Sequence, residues 1–343
     1  MLKTMTALTT AVATLATPAA FAQDTLVVAG FGWSFETLMR EEVIPGFEAA
    51  HGVTIRYLAG DAAMNLERLA ADDADQGPDV VILDTGPMHQ ADALGLCAPL
   101  RDAAIYQDLH DIARLGPNAV GLGLFAAGIA YDAERFAREG WDPPSSWADL
   151  TDPRFAGLLA VPSISNTYGL ATLVMMARLR GGGEGDIDPG FAAMADEVGP
   201  NVRVFEPSSA RVSALFRSGG IALAVWGSGR ARSLAESGFP VAFAYPEEGA
   251  VALMLAGCPV AGGDRPDEAN AFIEYLLQPE VQARLAEAED LGPVNASVAL
   301  TEAEAALLPY GPERIAGLVA LYWDTINQLR QEWASRWARE VER

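Results

Sequence analysis

The chain has 343 residues, half of them hydrophobic and 20% charged, with 23 Lys and Arg against 46 Asp and Glu for a net charge of −23. This is the composition of a folded protein with a sizeable core and room for about two domains. It excludes a nucleic-acid partner, because phosphate neutralisation needs a Lys/Arg surplus on some face and no basic run exists.

The N-terminus reads as a targeting segment over residues 1–22. Lys3 supplies a positive charge, Ala7 to Ala16 a short apolar core, and Ala20-Phe21-Ala22 a small-x-small cleavage pattern, so the mature chain is expected to begin at Gln23. That core is too short to span a bilayer, later apolar runs are short or broken by charge, and no cysteine stands at the cleavage point for a lipid anchor. An exported protein without direct membrane insertion is expected. Its two cysteines, Cys97 and Cys258, are far apart in sequence and are read as buried, reduced thiols, although export permits a disulfide.

Thr25 to Ala29 is predicted as a buried strand, followed by Gly30-Phe31-Gly32-Trp33. The third glycine of a dinucleotide loop is missing, since Phe35 stands there. Phe35, Leu38, Met39, Val43 and Phe47 keep close to the spacing of one helical face. Thr54 to Tyr57 is a second strand, Met64 to Ala71 a helix, and Val80 to Leu83 a third strand ending in Asp84-Thr85-Gly86 before a helix from Met88. This β-α-β-α alternation implies a mostly parallel sheet. Leu122 to Tyr131 reads as a strand crossing into a second domain.

Pro143 and Pro144 then break the chain, Ser146 can cap a short helix through Leu150, and Asp152-Pro153 and Gly157 supply turns. Leu158 to Val161 is a strand, and the loop Ser163 to Thr167 carries polar side chains just before a helix from Tyr168 to Leu179. Polar groups at a strand's carboxyl end, beside a helix N-terminus, are where open α/β sheets bind ligands. Ser163, Asn166, Thr167 and Tyr168 are therefore candidate ligand residues, as are Asp84 and Thr85. Further on come a helix near Phe191 to Glu197, strands at Val202 to Phe205 and Ile221 to Val225 separated by a helix around Ala210 to Arg217, and Trp226-Gly227-Ser228-Gly229 before a helix from Arg230. A strand at Val241 to Tyr245, a turn at Pro246 to Gly249, and Val251 to Leu255 lead back out. Helices over Pro266 to Leu277 and Pro279 to Glu289 precede a long final helix from about Arg314, striped by Ile315, Val319, Tyr322, Ile326, Leu329, Trp333 and Trp337.

Several landmarks fall in an order that resembles the spermidine/putrescine-type periplasmic solute-binding proteins of ABC importers. They are Gly77-Pro78-Asp79-Val80-Val81, Gly128 to Tyr131, Pro144-Ser-Ser-Trp147-Ala-Asp-Leu150 with Pro153-Arg-Phe155-Ala-Gly157, Ala224-Val-Trp226, Tyr245-Pro-Glu-Glu-Gly249 and Glu274 to Glu280. The resemblance covers nearly the whole mature chain. It implies a type II periplasmic binding protein: two α/β lobes, each a mostly parallel sheet flanked by helices, joined by crossing hinge strands and closing on a ligand. The lobes would comprise 23–127 with 246–310, and 128–245, with 311–343 an amphipathic helix docked on them.

The resemblance further makes Trp33 and Trp226 the counterparts of tryptophans that stack on a cationic ligand, with core aromatics as the other reading. It departs from the polyamine binders elsewhere. Ser163 to Tyr168 replace acidic groups, and Leu253 and Leu255 stand where those proteins carry a Trp and an Asp. Asp84 or Glu36 could supply the missing countercharge, Glu36 being equally readable as a solvated helix charge. Ser228 is a further ligand candidate. Arg230 beside it is read as a surface charge, with donation to a carboxylate or phosphonate as the alternative.

No cofactor or metal is expected, since His51, His89 and His110 lack metal spacing and Gly227-Ser-Gly229 is no nucleophile elbow. The implied function is that of a monomeric, non-enzymatic binding subunit. It would deliver a polyamine-like or amino-acid- or opine-like solute to an inner-membrane permease and its ATPase. A secreted enzyme on the same two-lobed fold is the alternative.

Overall fold

Short apolar runs alternating with amphipathic segments condense into one mixed sheet covered by helices, in a computed structural model that describes residues 25–70, 77–206 and 208–342. The targeting segment, its cleavage point and Ala71 lie outside those residues. The strands are β1 (Thr25–Phe31), β2 (Thr54–Gly60), β3 (Val80–Asp84), β4 (Val120–Asp132), β5 (Leu159–Val161), β6 (Val202–Phe205), β7 (Leu223–Gly227), β8 (Val241–Ala244) and β9 (Val251–Pro259). The helices are α1 (Trp33–Leu38), α2 (Ile44–His51), α3 (Ala62–Ala70), α4 (Thr85–Ala93), α5 (Ala133–Glu139), α6 (Thr167–Leu179), α7 (Asp188–Ala193), α8 (Ser209–Arg217) and α9 (Ser228–Glu236), then α10 (Pro266–Leu276), α11 (Pro279–Glu289), α12 (Pro312–Ala316) and α13 (Trp323–Glu340). Almost every predicted strand and helix is present within a few residues of its expected limits.

Strand order is β2-β1-β3-β9-β4-β7-β5-β6, with β8 also paired to β4. The parallel pairing implied by β-α alternation occurs at both ends, between β1 and its neighbours β2 and β3 and between β5 and its neighbours β6 and β7. The centre is antiparallel, so the sheet is mixed. Val120–Ala127 of β4 pairs with Val251–Gly257 of β9, and the far half of β4 pairs with β7 and β8. β4 and β9 thus cross between two lobes, each with its own apolar core. One is built on Leu26, Val28, Phe47 and Phe272, the other on Trp147, Leu159, Leu173 and Phe191.

Two landmarks distant in sequence turn out to be bonded to each other. Ser146 caps the turn Trp147–Thr151, accepting from Ala148 N at 3.0 Å, while Asp149 Oδ2 accepts from Ser146 N at 3.0 Å. The Ser146 hydroxyl donates to Glu248, Trp147 N donates to Glu248 Oε2 at 3.1 Å, and the buried indole Nε1 donates to Gly249 O at 2.9 Å. The segment that opens the second lobe is therefore pinned to the turn that feeds β9.

The C-terminal region corrects one expectation. Instead of a single helix from about Arg314, α12 ends at Gly317, and an extended stretch precedes α13. The cause is the free side of β9: Val319 N donates to Ala250 O at 2.9 Å and Ala252 N donates to Val319 O at 2.8 Å. Those groups would otherwise be buried without partners. Beyond it, α13 lies on the second lobe as an amphipathic helix, burying Ile326, Trp333 and Trp337 in that lobe's core while its opposite face is exposed.

The cysteines correct another. Cys97 lies beside the end of β9, bridged to Val260, with Ala98 N donating to Pro259 O at 2.7 Å. This brings its Cα to 5.7 Å from that of Cys258, and the two are joined in a disulfide rather than left as thiols. Replacing both by serine is expected to lower unfolding stability by about 2–5 kcal/mol, measured by denaturant titration under oxidising conditions. Adding dithiothreitol should bring the wild-type curve down to that of the variant.

Candidate functional site

Four strand-to-helix junctions meet where the lobes face each other. β1 delivers Phe31 to Phe35, β3 delivers Asp84 to Gly86 at the start of α4, the loop after β5 delivers Ser165 to Tyr168 at the start of α6, and β7 delivers Gly229 and Arg230 in α9. The crossing strands contribute Phe125, Leu253 and Leu255 as a floor, and the end of α11 adds Glu289 to Leu291. Together they enclose two contiguous chambers, of about 480 Å³ and about 350 Å³, that share Asp84, Phe125, Tyr168 and Arg230.

The first chamber holds most of the charge. Burial pushes the Asp84 carboxyl up to about 6. Burial likewise raises Glu289, opposed by its hydrogen bond from Ser34 and by the Arg230 guanidinium. Glu289 Oε2 accepts from Ser34 Oγ at 3.2 Å, whereas its buried Oε1 has no hydrogen-bond partner in the protein. Asp290 is already satisfied, taking Ser233 Oγ at 2.5 Å and Arg232 Nε at 3.3 Å. Tyr168 is pushed up to about 12 by burial, against the pull of neighbouring Arg230, so its phenol stays protonated. Trp33 stands at the mouth with 76% of its surface exposed and φ of 58°, a left-handed conformation costing a bulky residue about 1–2 kcal/mol.

The second chamber carries mainly neutral polar groups: Thr85, Ser165, Asn166, Thr167 and Ser209, against Leu253 and the Trp323 ring. The Thr85 hydroxyl is committed to β9, donating to Met254 O at 3.1 Å and accepting from Met254 N at 2.8 Å. Asn166 caps α6 through Oδ1, which accepts from Tyr168 N at 2.9 Å.

Of the residues proposed from sequence, Trp33, Asp84, Thr85, Asn166, Thr167 and Tyr168 come together at the cleft. Trp226, Ser228 and Ser163 do not line it. Trp226 is buried against Phe216, with Nε1 donating to Ser209 Oγ at 3.2 Å, so the core-aromatic reading describes it. Ser228 is buried and its Oγ accepts from Ala126 N at 3.1 Å, binding α9 to β4. Glu36 turns away to pair with Arg40 at 2.8 Å. Arg230 is the reverse case: read from sequence as a surface charge, it lines both chambers. Its place after a strand end, like that of Asp84, was the available signal. Glu289, Phe125 and Trp323 carried none, since they come from a helix end, a crossing strand and the C-terminal region. Among the described residues there is no cluster of His, Cys, Asp or Glu able to hold a metal ion, and no helix long and apolar enough to cross a membrane.

The model of the bacterial extracellular solute-binding protein family matches residues 42–309. An ABC transporter structure from Clostridium perfringens superposes with a TM-score of 0.83 at 24% identity, covering 92% of this chain and 99% of that one. AttC of Agrobacterium tumefaciens C58, in an open unliganded conformation, gives 0.76 at 20% identity over 93% and 99%. AgtB of A. tumefaciens R10, in complex with agropinic acid, gives 0.67 at 21% identity over 93% and 99%. A comparison with curated protein sequences returned no match.

The ionisation of Asp84 has a definite sign. Its ordinary value is 3.8 and its folded value about 6. Between these the unfolded chain gives up its proton first, so stability falls as pH rises through this window, and the full penalty applies above about pH 6. Asp84→Asn should therefore stabilise the ligand-free protein at pH 7.5, by roughly 3 kcal/mol at most. That gain should vanish below about pH 4 in thermal melts taken across the range. Trp226→Ala should instead cost about 3–5 kcal/mol of stability in denaturant titrations, as for other large buried aromatics.

Proposed function

The chain belongs to the bacterial extracellular solute-binding proteins, and from that premise we propose that it is the periplasmic binding subunit of an ABC importer, taking a small amphoteric organic solute into the cleft between its lobes. It would then present the closed, loaded form to an inner-membrane permease and its ATPase. The N-terminal targeting segment supports a periplasmic location. A binding role, without catalysis, is favoured by the match to the solute-binding family.

The observation that carries the ligand class is the company of opposite charges in the first chamber. Arg230 offers a guanidinium fork suited to a carboxylate, while Asp84 and the unpartnered oxygen of Glu289 offer acceptors for an ammonium group. A polyamine would satisfy the acids but leave a desolvated ligand cation facing Arg230. Leu253 and Leu255, standing where polyamine binders carry a Trp and an Asp, and the inward turn of Trp226 weigh against that ligand too. An amino-acid-like or opine-like solute meets both signs of charge at once.

Thermal shift against the standard amino acids, opines, putrescine and spermidine tests this directly. A ligand at a hundredfold excess over its dissociation constant stabilises by about 2.7 kcal/mol. An amphoteric solute should raise the melting temperature, and Arg230→Gln should weaken its binding about tenfold or more. If the polyamines shift the wild type and no amphoteric solute does, the proposal is wrong.

A further inference from the structure

Besides the crossing strands, the two lobes touch at both ends of the cleft, and the two contacts are of unlike kinds. Gly229 and Asp290 line only the first chamber, whereas Gly86 and Trp323 line only the second. At the first end, α11 of one lobe meets α9 of the other. Asp290 accepts from Ser233 Oγ at 2.5 Å and lies 3.3 Å from Arg232 Nε. Gly229 sits so near that a β-carbon there would lie 2.9 Å from Asp290. At the second end, Trp323, part of the second lobe's core, lays its ring on Gly86 of α4, where a β-carbon would lie 2.7 Å from it. Asn327 Nδ2 donates to Gly86 O at 3.0 Å beside it. We propose that the Asp290 contact is a breakable latch and the Trp323 contact a pivot, so that the cleft opens from its first-chamber end.

The difference lies in what water can replace. Ser233 is exposed, so when α9 and α11 part, water takes over the hydrogen bonds of both the hydroxyl and the carboxylate, and little is lost. Trp323 is buried, and drawing its ring off Gly86 would expose apolar surface for which water offers no compensation. The other bonds of Arg232 do not oppose parting at the latch. Its Nε donates to Glu236 of its own helix at 2.9 Å, and its Nη1 donates to Glu304 O at 2.7 Å. The loop that carries Glu304 is itself tied to the second lobe, where Tyr245 Oη donates to Leu307 O at 2.9 Å, so that bond travels with α9. The pivot is braced in the same lobe, since Tyr322 N donates to the buried Glu184 Oε1 at 2.9 Å. Rotation about the Trp323 end therefore breaks the fewest contacts that water cannot restore.

The test needs no ligand and does not depend on which solute the cleft takes. Both native cysteines are consumed in the disulfide, so cysteines introduced at exposed positions of the full mature protein take nitroxide labels cleanly for pulsed distance measurements. Glu280→Cys on α11 with Ser237→Cys after α9 spans the first-chamber end, and Gln90→Cys on α4 with Ala334→Cys on α13 spans the second. Asp290→Gly removes the carboxylate at a backbone position whose φ of 56° glycine adopts freely. It should enlarge, in the first pair, a population longer by more than about 2 Å, and leave the second pair as in the wild type. Ser233→Ala should produce the same change in smaller amount at an unaltered melting temperature, and decides the matter alone if Asp290→Gly folds poorly. First-pair distances that match the wild type, or a second pair that lengthens, would overturn the proposal.

Discussion

The antiparallel pairing of β4 with β9 is the constraint from which the rest of the molecule takes its position. Both strands are almost wholly buried, and both run out of one lobe and into the other. Their register fixes where Asp84 at the end of β3 faces Leu255 on one side, and where Trp226 and Gly227 sit against β4 on the other. The cleft is therefore not an accident of two domains meeting. Its floor is the middle of the shared strands, and its walls are the strand-to-helix junctions that those strands set opposite each other. The bonds from Ser146 and Trp147 to Glu248 and Gly249 hold the entry to β9 in that frame.

The ligand-free cleft carries an electrostatic cost that the fold tolerates. Asp84 and Glu289 are raised by burial, and one oxygen of Glu289 lacks a partner. Such groups destabilise a protein standing alone and become favourable only when an opposite charge arrives. Asp290, next in sequence to Glu289, shows the contrast: Arg232 and Ser233 neutralise it within the protein, and it serves as a contact between α11 and α9 instead. Burial raises both acids, but only Glu289 keeps an oxygen without a hydrogen-bond partner in the protein. The left-handed backbone at Trp33 likewise costs stability, and it sets a large exposed ring at the mouth of the cleft.

Much of this was legible in the sequence because strand length, helical spacing and turn chemistry agree locally. β1, β3, β4 and β7 are apolar runs bounded by Gly, Asp or Trp, and the helices between them repeat on one face. A polar residue after a strand end was a partial signal: it led to Asp84 and Tyr168, which line the cleft, and equally to Ser163 and Ser228, which do not. It was illegible where facing decides the role. β7 is buried on both faces, Leu223 and Val225 entering one core and Ala224 and Trp226 another, so no alternation reveals which way Trp226 points. Arg230 looked like surface because its helix is polar overall. Periodicity could not show the break after α12, which depends on a hydrogen-bonding need of β9 some 67 residues earlier by number, from Ala252 to Val319. The disulfide joins positions 161 residues apart, beyond the reach of any local pattern.

The burial of Ile326, Trp333 and Trp337 inside the second lobe also bears on the order in which the molecule can be assembled. A chain made from its N-terminus onward produces β5, α6 and β7 long before α13, and produces β1 and β3 long before β9 and α11. Neither lobe owns all of its core until segments from the other end of the sequence emerge. Partial lobes formed during synthesis must leave apolar surface uncovered until that moment. Completion of the second lobe's core therefore waits for the C-terminal tryptophans.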